Sequence, residues 1–397
     1  MEKVTNQSMK VSSIGLIPED WDAKSLSQIG VFSKGKGVTR ANAQSGDIPC
    51  VRYGEIYISH NDYIRAFYSH ISPAIAATAT KLKKGDILFA GSGETKEEIG
   101  KAVAFLGDED AYAGGDIIIL SPDEESSPKF LGYVLNAASA VNQKASKGQG
   151  DAVVHIHAKE LGDVVIPFPN LDEQNRIADA LSVVDDMIGA LDGAIAKKQQ
   201  IKEGLMQQLL TCKTRLPGFN EEWVELELGS ILSYEQPGPY LVQSTEYVES
   251  GTPVLTAGKT FILGYTNEKF GIYDKLPVII FDDFVTESKY VDFPFKAKSS
   301  AMKMLSVRDK GRHNVRFIYD IMQLIDFPMT DHKRYWIAEY SLLKVRVPKS
   351  LEEEDAIANS FSTIDDEIHS LESQRDKYRL IKQGMMQELL TGKTRLL

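Results

Sequence analysis

Four short stretches hold residue types that could do chemistry. Phe89-Ala90-Gly91-Ser92-Gly93 follows an apolar run and has the F-x-G-x-G form in which glycines let a backbone approach S-adenosylmethionine. Methylation of a base would also call for an acid-Pro-Pro-aromatic motif, and no Pro-Pro pair occurs in the chain. The stretch reads more simply as a strand-to-loop turn. Gly392-Lys393-Thr394 has the ending of a phosphate-binding loop, but Gln387 stands where that loop needs glycine. The motif also closes a helix, whereas a phosphate loop must open one. It and its counterpart Cys212-Lys213-Thr214 read as helix C-terminal turns, with Lys393 and Arg395 set against the negative helix end. Asp282, Asp283 and Glu287-Ser288-Lys289 imitate the acid…Glu-x-Lys pattern of metal nucleases, with a gap too short for the usual hairpin. His155 and His157 fall on one face of a strand, with no third zinc ligand in sequence. None of this demands catalysis. The expectation is a chain with no catalytic residue, metal or cofactor of its own.

Binding chemistry is better represented. The net charge of −11 excludes a whole-molecule basic footprint, but not a local basic face that meets phosphate. Lys34, Lys36 and Arg40 sit in a Gly-rich stretch. Lys144, Lys147 and Gln149 lie in KASKGQG, ahead of His155. Lys296, Lys298 and Lys303 precede Arg308, Lys310, Arg312, His313 and Arg316. His332, Lys333, Arg334, Tyr335 and Trp336 are contiguous. Basic residues beside Gly, Gln, Asn and aromatics suit phosphate contact combined with base reading. The expected DNA contacts are Lys34, Lys36, Arg40, Lys144, Lys147, Gln149, His155, Arg312, His313, His332, Lys333, Arg334 and Tyr335.

The elements that must position these residues are announced by a repeat. Residues 201–216 and 381–396 are identical at 12 of 16 positions, at an offset of 180. The match continues backwards without a gap, with 10 identities in 30 between 171–200 and 351–380. Ile177, Leu181, Val184, Ile188 and Leu191 are spaced by four and three, and Ile357, Phe361, Ile364, Ile368 and Leu371 repeat the spacing. That is the apolar seam of a long helix, and the sister helix is the expected partner. Pro167 and Pro169 precede the first helix and Pro348 the second. Two like helices on one chain act as a covalent dimer. An isologous packing relates them by a pseudo-twofold axis and makes them antiparallel.

With 397 residues the chain is too long for one ordinary domain. It divides into a globule over 1–168, a helix over 169–216, a second globule over 217–349 and a second helix over 350–397. Both globules open with a proline and a tryptophan, Pro18 and Trp21, then Pro217 and Trp223, and show no other similarity. Strands are expected over 86–90, 116–120, 278–281 and 342–347, and helices over 128–139 and 315–325. Exposed apolar residues near the helix ends, Leu205, Met206 and Leu209 with Met385, Met386 and Leu389, offer two near-equivalent docking surfaces. No run approaches 18 apolar residues, and the polar start over 1–13 lacks a signal region. Two cysteines, Cys50 and Cys212, make no disulfide framework. A cytoplasmic location is expected.

The endings LMQQLLTCKTRL and MMQELLTGKTRL, the helix opening built from Pro167, Pro169, Leu171, Glu173, Gln174, Arg176 and Ile177, the stretch Lys84-Gly85-Asp86-Ile87-Leu88 and the segment 148–156 together resemble the specificity subunit of Type I restriction-modification systems. The resemblance covers nearly the whole chain. It implies a mixed α+β molecule, with the globules as target recognition domains on two long antiparallel helices that form a coiled coil. It also implies an asymmetric bipartite DNA target. Two methyltransferase subunits would be partners, with restriction subunits reached through the complex. S-adenosylmethionine, ATP and Mg would belong to those partners. The second helix opening departs from the pattern, with Glu354 and Ala356 in place of Gln174 and Arg176. The rival readings are a base methyltransferase with a fused recognition domain and a coiled-coil adaptor without nucleic acid.

Overall fold

A computed structural model describes residues 8–150, 153–258, 260–328 and 334–396. The chain forms two compact units, Met1–Leu191 with Gln374–Leu397, and Asp192–Ser373. The long helices Leu171–Leu209 and Leu351–Leu389, 39 residues each, contribute one half to each unit. The units therefore cut across the four segments of the sequence.

In the first unit the central sheet comprises β1 (Gly30–Lys34), β2 (Ile87–Ala90), β3 (Ala102–Ala104) and β4 (Ile117–Pro122), in the antiparallel order β3-β2-β4-β1. β2 and the first four residues of β4 are buried throughout, as continuous apolar runs must be when both sheet faces are covered. The turn into β2 explains the Lys-Gly-Asp signature. Gly85 sits at φ +96°, and Asp86 accepts the Lys83 amide at 2.8 Å and the Ser121 hydroxyl at 2.6 Å. Two helices follow, α1 (Pro128–Val134) and α2 (Ala138–Lys147), then the long helix α3 (Leu171–Leu209). Pro128 opens α1, where its missing N–H costs nothing. Asn170 caps α3 by accepting the Glu173 amide at 3.0 Å.

In the second unit the sheet is β5 (Leu232–Glu235), β6 (Val278–Asp282), β7 (Ser288–Val291) and β8 (Met302–Val307), in the antiparallel order β7-β6-β8-β5. The helix α4 (Val315–Met322), capped by the Asn314 side chain, and the long helix α5 (Leu351–Leu389) complete it. The strand order is that of the first unit. The agreement extends further. Ile48–Val51 runs parallel to Tyr112–Ala113 in one unit, and Thr252–Leu255 parallel to Lys296–Ala297 in the other. Asp22–Ser25 pairs with Val165–Phe168, and Val224–Glu227 with Lys344–Val347. Globules without sequence similarity thus share one topology. An apolar pattern of about the right volume selects the fold, and many sequences supply it. The expected helix over 128–139 is two helices, and the expected strand over 342–347 shortens to Lys344–Val347 because Tyr340–Leu342 forms a 3-10 turn.

The seam residues Ile177, Leu181 and Val184 are buried in the first unit, and Ile357 and Phe361 in the second. Ile188, Leu191, Ile364, Ile368 and Leu371 are half-buried. Within each unit the two helices run antiparallel. In the first, Lys382 meets Asp185 and Arg395 meets Glu173. In the second, Lys202 meets Asp365 and Arg215 meets Glu353. The buried seam residues do more than pair helices. Ile177 and Leu181 share a core with Phe130, Leu131, Leu389 and Leu390, and Ile357 and Phe361 share one with Phe317, Met206, Leu209 and Leu210.

Candidate nucleic-acid interface

The loop after β2 builds a cleft in the first unit. Gly91 donates to the Asp116 carbonyl at 2.8 Å and accepts the Ile156 amide at 3.1 Å. Ser92–Gly93 pairs with Val154–His155, and Gln149 exchanges both backbone hydrogen bonds with His155 at 2.9 and 2.8 Å. A Cβ on Gly91 would lie 2.9 Å from the Asp116 carbonyl, and one on Gly93 2.7 Å from the Tyr57 hydroxyl. The glycines of F-x-G-x-G thus serve close approach within the protein, which accounts for the motif without a cofactor. The Ser92 hydroxyl lies 2.9 Å from His155 Nδ1. Around this pair the cleft gathers Ser33, Lys34, Asp116 and His157. An ammonium, two imidazoles, two hydroxyls and a carboxylate offer both donors and acceptors, suited to a phosphate and to base edges.

The other expected contacts scatter. Lys36 and Arg40 are exposed on the connection after β1, and Lys147 is half-buried with Nζ 3.8 Å from Asp163. Lys144 is 1% exposed and faces inward, where it donates to the carbonyls of Gly100 at 2.6 Å and Leu135 at 2.8 Å. Burial pushes its ammonium down to about 7. It cannot reach a phosphate from there. In the second unit Arg312 and Arg334 are exposed. His313 is spent on Glu354, 2.9 Å away, and Tyr335 is fully buried against Phe327. His332 and Lys333 lie outside the described residues. Lys296 and Lys303 also face inward, each 2.9 Å from a carboxylate, Glu268 and Asp283. The nuclease-like acids are structural too. Asp282 caps the turn by accepting the Phe284 and Val285 amides, and among the described residues no three His, Cys, Asp or Glu are placed to hold a metal.

The helix-end stripe is likewise consumed within the chain. Met206, Leu209 and Leu389 are buried in the cores, and Leu205, Met385 and Met386 are partly buried against them. The expectation of an exposed apolar stripe there does not hold, because each helix end packs into the globular core of its own unit.

A feature that the sequence reading missed repeats in both units. Arg395 forks Glu173, which also accepts the Trp21 indole N–H at 2.9 Å, and a second carboxylate, Asp20, completes the fork. Arg215 forks Glu353 with two 2.7 Å bonds, and Glu353 accepts the Trp223 indole N–H at 3.2 Å. The duplicated Lys-Thr-Arg therefore closes a clasp on the opposite helix start. Its arginine, Arg395 or Arg215, is the residue that makes the clasp. The signal was available, since arginine, glutamate and tryptophan recur in both copies. The departure at Glu354 also finds its reason. Gln174 accepts the Ser127 amide ahead of α1 at 2.8 Å, and Glu354 accepts the Asn314 amide ahead of α4 at 2.7 Å while holding His313.

Two units of one topology, clasped by the halves of a duplicated helix, define a protein that presents two different surfaces on one repeated frame. Residues 18–203 match the family model described as the Type I restriction modification DNA specificity domain. The specificity subunit of the Escherichia coli Type I restriction enzyme EcoR124I/EcoR124II is 50% identical over 148 residues, 36% of each chain, so that alignment spans about a third of the relative's length. A putative Type I specificity subunit, MjaX, from Methanocaldococcus jannaschii is 25% identical over 98% of this chain and 97% of its own. The crystal structure of the Type I S subunit from M. genitalium superposes with a TM-score of 0.67 at 16% identity, covering 97% of this chain and 99% of that one. The chain is thus similar to specificity subunits of Type I restriction-modification systems: over residues 18–203 to their DNA specificity domain, and over nearly its whole length to their fold.

Proposed function

We propose that this chain recognises an asymmetric DNA target in two unlike parts and directs methyltransferase and restriction subunits to it, without performing the chemistry itself. The observation that carries this reading is the repeated frame with unlike side chains on its exposed rims. One topology occurs twice, and residues such as Lys34 and His155 in one unit have no sequence counterpart in the other. Identical surfaces would suit a symmetric target. Unlike surfaces suit two different half-sites. The segments 1–168 and 217–349 are the proposed target recognition domains, and 169–216 and 350–397 the spacers. Two methyltransferase subunits are expected per chain, with S-adenosylmethionine, ATP and Mg on the partner subunits. No helix among the described residues is long and apolar enough to cross a membrane, and the proposed setting is the cytoplasm, where such a complex meets DNA.

The test is methylation mapping of a host that carries the partner subunits, with and without this gene. A two-part motif modified only when the gene is present is the expected result. Methylation that does not depend on the gene would overturn the reading. S-adenosylmethionine binding by the isolated chain would favour the fused-methyltransferase alternative.

A further inference from the structure

Hydrogen bonds allow the two units to be aligned residue by residue where sequence cannot. In the first unit the Ile156 amide donates to the Gly91 carbonyl, and in the second the Tyr335 amide donates to the Asp283 carbonyl at 2.9 Å. The Gly91 amide donates to Asp116 and the Asp283 amide to Ala301. Leu26 donates to Val164, and Leu228 to Leu343. Val164 follows Ile156 by eight residues, and Leu343 follows Tyr335 by eight. This register sets Arg334 at the place of His155. The strand registers agree. Phe32 faces Leu120 across β1 and β4, and Tyr234 faces Leu305 across β5 and β8, which sets Tyr234 at the place of Phe32.

We propose that both units read base edges from this one position of the frame, through His155 in the first and Arg334 in the second. The inference rests on the DNA-specificity reading above and names its residues. His155 has its backbone fixed by Gln149 and its Nδ1 held by Ser92, which leaves Nε2 as its free-standing polar atom among the described residues. Arg334 is exposed, and the backbone on its C-terminal side is pinned by Asp283. The Asp283 carbonyl takes the Tyr335 amide, and its carboxylate takes the Trp336 amide at 2.8 Å. The same carboxylate binds Lys303 at 2.9 Å, and the Lys303 ammonium lies 4.8 Å from the centre of the Tyr234 ring. Asp283 is thus a positioning residue that organises Arg334 and Tyr234 together. Tyr234 is 42% exposed and Phe284, on the adjoining turn, 40%. An exposed arginine has the chemistry for a guanine edge, with two donors matched to O6 and N7.

The experiment is methylome sequencing of hosts expressing the whole system with the wild-type chain, His155→Ala, Arg334→Ala, Arg334→Lys or the double alanine variant. The expected result is relaxation of one base position in one half-site for His155→Ala, and of a guanine in the other half-site for Arg334→Ala. Discrimination at each should fall roughly tenfold to a hundredfold. Arg334→Lys should recover part of the loss, since a lysine keeps the charge but not the fork. Wild-type motifs in both single variants, or relaxation of the same half-site by both, would overturn the proposal. A fall in overall methylation with the motif intact would also overturn it, because it would assign the residues to phosphate or to folding. A wild-type system that shows no gene-dependent motif would instead defeat the underlying functional reading.

Discussion

Lys144 shows how a single charge misleads when only its neighbours in sequence are known. It belongs to the basic stretch KASKGQG, yet it shares the buried face of α2 with Ala140, one helical turn earlier. Lys296 and Lys303 are misleading in the same way, because their carboxylate partners lie 28 and 20 residues upstream. Basic composition is legible in sequence, but inward or outward direction depends on partners supplied by the fold. A lysine at about 7 in the fold and 10.5 when unfolded has a depressed value, so the unfolded chain holds the extra proton between those pH values. Its contribution is present above about pH 10.5 and lost as pH falls toward 7. Between pH 7 and 9 the wild type should therefore gain about 2 kcal/mol relative to Lys144→Met. The variant should itself lose about 1–3 kcal/mol through the two carbonyls left unpaired. Denaturant unfolding at both pH values reads both effects, and parallel pH dependences would contradict the assignment. A second pair of residues gives an asymmetric expectation. Cys212 and Gly392 end their helices at φ 59° and 70°. A Cβ on Gly392 would come within 2.4 Å of Pro18. Gly392→Cys should cost about 1–3 kcal/mol, whereas Cys212→Gly should change stability by less than about 1 kcal/mol, because glycine tolerates that backbone. Denaturant midpoints of the two variants provide the comparison.

At the scale of elements, the long helices were legible because their apolar spacing is sustained and duplicated. Their clasps were not, since no periodicity links an arginine after one helix to a glutamate at the start of another. Glu173 and Glu353 each sit in a first helical turn, where the positive end of the helix already favours a carboxylate. The arginine and the indole then satisfy the remaining acceptor positions. The Arg395 and Glu173 side chains are 3% and 2% exposed, whereas Arg215 is 23% exposed over a Glu353 at 2%. Removing one partner of a buried ion pair leaves the other uncompensated. Arg395→Ala should destabilise the first unit by about 3–5 kcal/mol. Arg215→Ala should cost the second unit less, because water can reach the vacated side of its clasp. Hydrogen exchange resolved by segment would assign each loss to its unit. Equal losses, or a loss spread over both units by each variant, would contradict the clasp as a local device.

For the whole molecule, the order globule, helix, globule, helix could be read from the 180-residue offset alone. The sameness of the globules could not, because a shared topology is held by buried runs such as 87–90 and 278–281 and leaves the rims free to diverge. Of the thirteen residues read as DNA contacts, the structure gathers Lys34 and His155 in one cleft and removes Lys144 to the interior. If Lys34 touches a phosphate, Lys34→Ala in the assembled complex should weaken DNA binding to a similar degree on cognate and unrelated sequences. The salt dependence of log affinity should become shallower by about 1. Titration by anisotropy at several salt concentrations would show it, and a loss confined to the cognate sequence would make Lys34 a base contact instead.

The first unit is discontinuous, made of Met1–Leu191 and Gln374–Leu397, whereas the second is the single stretch Asp192–Ser373. Translation runs in one direction, so the ribosome delivers Trp21, Asp20 and Glu173 long before Arg395 exists. The nascent chain must carry an unclasped first unit while the second receives every residue it needs. The later unit can therefore mature first, and the earlier one waits with Glu173 open to water. A premature stop after residue 373 would spare all residues of the second unit and strip the first of its lock, giving a product with one sound globule and one vulnerable to proteases.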